Sequence, residues 1–124
     1  MKLDFSNERS IYLQIAESIE DDILNGALRA EEQIPSTNQI AVIFKINPAT
    51  AGKGINLLVE GGILYKKRGI GMFVASGARE QIVCKRRDGF YEKYIISLIE
   101  EAKRLGIDSG ELVQMIIREE NGNG

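Results

Sequence analysis

The chain has 124 residues, of which 44% are hydrophobic and 27% charged, an ordinary soluble globular composition of about one domain or slightly more. No apolar run approaches the ~20 residues a membrane span needs, and no basic-then-apolar leader opens the sequence, so neither membrane nor export is expected. Cys84 is the sole cysteine and histidine is absent, which removes an intrachain disulfide, a thiolate zinc cluster and every Ser-His or Cys-His pair. The expectations are a reduced cytoplasmic setting, no metal, no cofactor and no enzymatic activity.

The net charge of −2 is unevenly spread. Residues 1–32 carry three basic and eight acidic side chains, residues 33–77 five basic and one acidic, and residues 78–124 eight basic and nine acidic. A locally basic middle third in a mildly acidic chain fits an anionic partner at that place. On charge alone a solvated face fits equally well.

The first predicted helix covers residues 10–25, with Tyr12, Ile15, Ala16, Ile19 and Ile23 at helical spacing and Asn25-Gly26 as its stop. Glu17, Glu20, Asp21 and Asp22 are expected on its solvated face rather than around a metal. Ser36-Thr37-Asn38-Gln39 reads as a capping box after Pro35, opening a short helix that packs through Ile40, Ala41 and Phe44. After the turn at Lys45-Ile46, Asn47 caps a third helix with Pro48 at its first position. That helix is expected to run to about Glu60, burying Ala51, Gly54, Ile55 and Leu58 and showing Ala49, Thr50, Gly52, Lys53 and Asn56 on the other side. Two short apolar runs around Arg68-Gly69-Ile70 then predict a β-hairpin.

Helix, short helix, tight turn, helix, hairpin is the order of a winged helix-turn-helix. Over roughly residues 11–74 the sequence resembles the GntR family of bacterial transcription regulators. The resemblance lies in Ile34-Pro35-Ser36, in Ile46-Asn47-Pro48-Ala49-Thr50, in the run from Leu57 through Glu60-Gly61 to Leu64, and in Arg68-Gly69-Ile70-Gly71-Met72-Phe73-Val74. With only 47 residues after the wing, the chain looks like the small YtrA-type branch. That likeness implies a mostly α (α+β) fold with a winged helix-turn-helix at 9–77 and a short two-helix dimerisation segment at 78–124. The implied function is that of a repressor binding double-stranded DNA. Asn38 stands where the family usually has a backbone-contacting arginine, and Gly52 and Gly54 replace bulkier residues in the third helix.

Helix N-termini aimed at a duplex present free N–H groups and positive dipole ends to phosphate. The candidate DNA-binding residues are therefore Ser36, Thr37 and Asn38 at one such end and Asn47, Ala49 and Thr50 at the other. Lys53 joins them on the third helix and Lys66, Lys67, Arg68 and Gly69 on the wing. Ser36 and Asn47 equally serve as caps alone, and basic side chains on the wing equally discourage edge pairing. Lys53 suits phosphate, Ala49 and Thr50 base edges in the major groove, and Arg68 the narrow minor groove.

In the C-terminal part a long helix is expected from about Ala78 to Leu105, with Tyr91, Ile95, Leu98, Ala102 and Leu105 on one stripe and Gly89 as its weak point. Asp108-Ser109-Gly110-Glu111 reads as a second capping box, and Leu112, Val113, Ile116 and Ile117 continue the apolar surface. Tyr91, Ile95, Leu98, Ala102, Leu112 and Ile116 are the candidate dimer residues; the same stripes could instead dock on the winged domain. Two helices have no interior, so a small-molecule effector, if one exists, is expected between subunits or against the winged domain. Cys84, although beside Lys85, Arg86 and Arg87, reads as an ordinary helix residue rather than a redox sensor. The competing functional reading is a winged-helix module that docks a protein and binds no specific DNA.

Overall fold

The structure is a computed structural model that describes residue 3 and residues 10–122. Arg9, at the start of the expected first domain, and Asn123 and Gly124 of the expected frayed tail lie outside the described residues. The elements in order are α1 (Ile11–Leu24), α2 (Thr37–Phe44), α3 (Pro48–Glu60), β1 (Leu64–Lys67), β2 (Gly71–Val74), α4 (Ala78–Phe90), a π-helical stretch (Tyr91–Ile96), α5 (Ser97–Arg104) and α6 (Ser109–Glu120). The first five form the winged helix-turn-helix.

Local chemistry sets most of these ends. Ser36 and Gln39 exchange both bonds of a capping box: the Gln39 N–H donates to Ser36 Oγ at 3.1 Å, and the Ser36 N–H to Gln39 Oε1 at 2.7 Å. Asn47 Oδ1 accepts from the Ala49 N–H at 2.8 Å, one residue after Pro48 occupies the first helical position. Between the two helices Lys45 takes a left-handed conformation, φ 55°. The core joins Ile15, Ile19 and Ile23 of α1 to Ile40 and Ala41 of α2, Ala51, Ile55 and Leu58 of α3, and Leu64 and Val74 of the hairpin.

The hairpin is antiparallel, with Leu64 opposite Val74, Tyr65 opposite Phe73, Lys66 opposite Met72 and Lys67 opposite Gly71. Its outer edge is covered by the loop between α1 and α2. The Glu31 N–H donates to the Val74 carbonyl at 2.7 Å, the Val74 N–H to the Glu32 carbonyl at 2.9 Å, and the Ile34 N–H to the Met72 carbonyl at 2.9 Å. This pairing satisfies edge groups that would otherwise invite another strand.

The chain divides into two compact units, residues 1–85 and 86–124. The first unit extends to Lys85, with Ala78 and Ile82 of α4 buried in its core. Two further contacts hold the start of α4 on α1: Arg79 Nε donates to the Leu24 carbonyl at 3.2 Å, and Lys85 pairs with Glu20. Glu20 is consequently buried, 4% exposed. It does not lie on the solvated face expected for it; Glu17 and Asp22 are half-buried and Asp21 alone of the four is exposed. The ridge of α1 that faces α4 runs one position beyond the apolar stripe, so an acidic residue at its border meets a lysine instead of water.

In the second unit the expected single helix is interrupted. The π-helical stretch starts at Tyr91, just past Gly89, and its i→i+5 bonding adds a residue to the turn, which shifts every later side chain around the helix axis. The α5 end follows the glycine-terminated pattern, with the Ile107 N–H donating to the Ala102 carbonyl at 2.9 Å. Asp108 Oδ1 accepts from the Glu111 N–H at 2.8 Å, one arm of the expected second capping box.

Candidate nucleic-acid interface

The outer face of α3 is an open groove of about 510 Å³ lined by Ala49, Gly52, Lys53, Asn56, Leu57 and Glu60. These residues recur three and four apart, so they share one side of the helix while Ala51, Gly54, Ile55 and Leu58 face the core. Glu60 closes the C-terminal end of the groove with a negative charge. Its N-terminal end holds the Asn47 cap, Ala49 and the half-buried Thr50. The electrostatic asymmetry along α3 therefore favours an anion at the N-terminal half only.

Lys53 is aimed by a neighbour that the sequence does not reveal. Its ammonium lies 4.1 Å from the centroid of the Tyr12 ring, a cation–π contact made across from α1. The N-terminus of α2 comes alongside: a Cβ on Gly52 would lie 3.6 Å from Thr37 Cγ2, so Thr37 and α3 sit side by side. Ser36 and Asn38 are exposed at the same helix end. The fold thus brings Thr37, Gly52 and Lys53 into one region.

The wing residues divide between the two faces of the hairpin and its turn. Side chains alternate across a strand, and the register puts Lys66 on the face of Leu64, Met72 and Val74, and Lys67 on the face of Tyr65 and Phe73. Lys67 Nζ stands 4.4 Å from the Phe73 ring centroid and 6.0 Å from that of Tyr65, and the two rings stack at 5.9 Å. Lys66 and Lys67 therefore leave the hairpin on opposite faces. Arg68 and Gly69 occupy the turn itself, exposed, with Gly69 at φ +77°, the conformation such a turn position demands.

Glu31 belongs to this region as well, although it lies in the acidic N-terminal third of the sequence. The Tyr65 hydroxyl donates to its carboxylate, and Ser76 Oγ donates to the other carboxylate oxygen at 3.2 Å. The Tyr65 bond, with help from Ser76 and the Lys67 charge, holds the Glu31 carboxyl below its usual range and raises the Tyr65 phenol above its own. The wing's basic charge is partly countered on the Lys67 face.

The gntR family of bacterial regulatory proteins matches residues 11–74. The chain belongs to this family. Among relatives of this GntR protein, the transcriptional repressor YtrA of Bacillus subtilis is 25% identical over 116 residues, 94% of this chain and 88% of the relative. A GntR-family transcriptional regulator from Bacteroides thetaiotaomicron has a solved structure that is 37% identical and superposes with a TM-score of 0.71, covering 92% of this chain and 99% of that one. The DNA-binding domain of AraR, solved in complex with an operator, is 31% identical with a TM-score of 0.53, over 60% of this chain and 96% of that one. GntR proteins are regulators of transcription, not enzymes. Among the described residues of this GntR protein no cluster of acidic or cysteine side chains could hold a metal, and no helix is long and apolar enough to cross a membrane.

The second unit carries the candidate dimer residues with unequal exposure. Ala102 is buried, Ile95 and Leu112 are half-buried, and Tyr91, Leu98 and Ile116 are exposed. Phe90, Tyr94, Ile99, Val113, Met115 and Ile117 add further exposed apolar surface.

Proposed function

We propose that this GntR protein represses transcription by binding a two-fold symmetric operator as a homodimer in the cytoplasm. The observation that carries the reading is the outer face of α3. It combines a capped N-terminus, small residues that allow close approach, a lysine held on Tyr12 and an asparagine one turn further on. In the major groove the small Ala49 and Gly52 admit the helix deeply, Asn56 offers the bidentate amide that suits adenine, and Lys53 meets phosphate. Ser36, Thr37 and Asn47 contribute hydroxyl, amide and N–H groups to the backbone at two helix ends. Arg68 and Gly69 enter the adjacent minor groove. The operator complex of the AraR domain, similar over three-fifths of this chain, supports the assignment by family likeness.

Dimerisation through residues 86–124 rests on the apolar surface there. A unit of fewer than ~40 residues rarely folds unaided, and exposed Tyr91, Leu98 and Ile116 beside half-buried Ile95 and Leu112 suit a two-fold partner. Two α3 helices would then sit one helical turn of DNA apart. An effector would lie between subunits. Selection of the full-length protein against a random duplex pool tests the reading: recovery of inverted repeats whose binding weakens steeply with salt is expected. A protein that retains no duplex at low salt is a protein-docking module instead.

A further inference from the structure

The wing turn carries an apolar side chain that the fold does not use. Ile70 is 64% exposed, yet its backbone is pinned from both sides. Its N–H donates to the Lys67 carbonyl at 3.0 Å, and its carbonyl accepts from Gln33 Nε2 at 3.0 Å. Gln33 is in turn paired with Phe73 of β2. The Gln33 amide lies over Gly71, where a Cβ would come within 2.5 Å of Nε2, and Gly71 has φ +150°. Glycine at that place lets the amide reach across the turn. The result is an isoleucine presented rigidly at the tip, two residues from Arg68.

We propose that Ile70 is a specificity-determining residue that packs on the floor of the minor groove and selects A·T over G·C pairs, with Gln33 as its positioning residue. The proposal rests on the DNA-binding reading. In the minor groove A·T and T·A pairs show only acceptors, whereas G·C adds the guanine N2 amino donor. The Arg68 guanidinium, a donor only, satisfies the acceptors and is drawn to the narrow groove of A·T runs. Neither Arg68 nor Ile70 offers a side-chain acceptor to the amino group. That group would be stripped of water against the Ile70 methyls and would also hold them off the floor.

Hypoxanthine provides the test, because a hypoxanthine·C pair looks like G·C in the major groove and lacks the minor-groove amino group. Starting from a selected operator, each flanking A·T pair is replaced in turn by G·C and by hypoxanthine·C, and the affinity of the full-length protein is measured. At one or two positions in each half-site G·C should weaken binding about tenfold, and hypoxanthine·C should restore it. Ile70→Ser, which keeps Arg68, should abolish the difference between the two pairs while Ile70→Val preserves it, and Gln33→Ala should narrow it. Hypoxanthine·C behaving as G·C everywhere, or undiminished discrimination by Ile70→Ser, overturns the proposal while leaving DNA binding intact. Failure to bind any selected duplex overturns the DNA-binding reading itself, and this proposal with it.

Discussion

Gly54 of α3 lies against the backbone of Tyr12 in α1: a Cβ at Gly54 would stand 2.7 Å from the Tyr12 carbonyl oxygen and 3.1 Å from Ile15 Cγ2. The glycine is what lets α3 approach α1 closely enough for the Lys53 ammonium to reach the Tyr12 ring.

Gly54→Ala should accordingly destabilise the winged domain by about 1–2 kcal/mol, the overpacking cost exceeding the gain in helix propensity. Gly52→Ala should do the reverse. Its Cβ meets only Thr37 Cγ2 at an ordinary 3.6 Å, so about 0.5–1 kcal/mol of stabilisation is expected. Urea unfolding of the two variants should move the midpoint in opposite directions; equal destabilisation would contradict the packing.

DNA affinity should depend steeply on salt. Three phosphate contacts per subunit in a dimer give log K against log salt a slope of roughly −5, and the Lys53→Ala, Arg68→Ala double variant should flatten it by about 3 to 4. Tyr12→Leu should weaken binding about threefold by releasing Lys53 from its ring. Binding isotherms across a salt series decide the matter, and an unaltered slope in the double variant shows that neither Lys53 at the phosphates nor Arg68 in the minor groove displaces counterions from the duplex.

The wing contact between Glu31 and Tyr65 should titrate at both ends of the pH scale. The Glu31 carboxyl is held below 4.5, so its contribution is present above that value and is lost as pH falls through the lowered folded value. The Tyr65 phenol is raised above 10.0, so its contribution is complete below 10.0 and is lost as pH rises through the raised value. Tyr65→Phe should return Glu31 toward its usual titration, read from its side-chain carbonyl resonance. A Glu31 curve identical in the variant would show that the hydroxyl does not hold the carboxylate in solution.

Lys85 should contribute to stability more than a surface lysine does, because its partner Glu20 has a side chain only 5% exposed. Lys85→Met at neutral pH should cost about 1–2 kcal/mol, less than for a fully buried pair since the Lys85 side chain is itself 62% exposed. Chemical denaturation measures it; a loss under a few tenths would place the pair among ordinary surface contacts.

Truncation after Lys85 should leave a folded, monomeric domain that binds one half-site weakly, having lost the effective concentration of a linked second site. Truncation after Gly77 should fold poorly, because it removes Ala78 and Ile82 from the core. Sedimentation and thermal melts of the two fragments distinguish them, and a stable 1–77 fragment would argue against the division observed within α4.

Features carried by neighbouring residues were legible in the amino-acid sequence. The Ser36–Gln39 box, the Asn47-Pro48 start, the buried stripe of α3 and the hairpin around Gly69 all follow from hydrogen bonds and periodicities that span a few positions, and the structure places each where it was expected. Fold class follows from their order. Contacts between elements were not legible, since they depend on how helices cross and on strand register. Periodicity puts Gly54 on the buried side of α3 and Gly52 on the open one, but only the tertiary structure presses Gly54 onto the Tyr12 carbonyl. It alone buries Glu20 against Lys85, seats Lys53 on Tyr12, and puts Lys66 and Lys67 on opposite faces. It also brings Gln33 and Glu31 from an acidic loop to the wing, residues 37 and 34 positions from their partners. A side chain's local preferences are written beside it in the sequence, whereas its partner across the core is chosen by the packing of the whole domain.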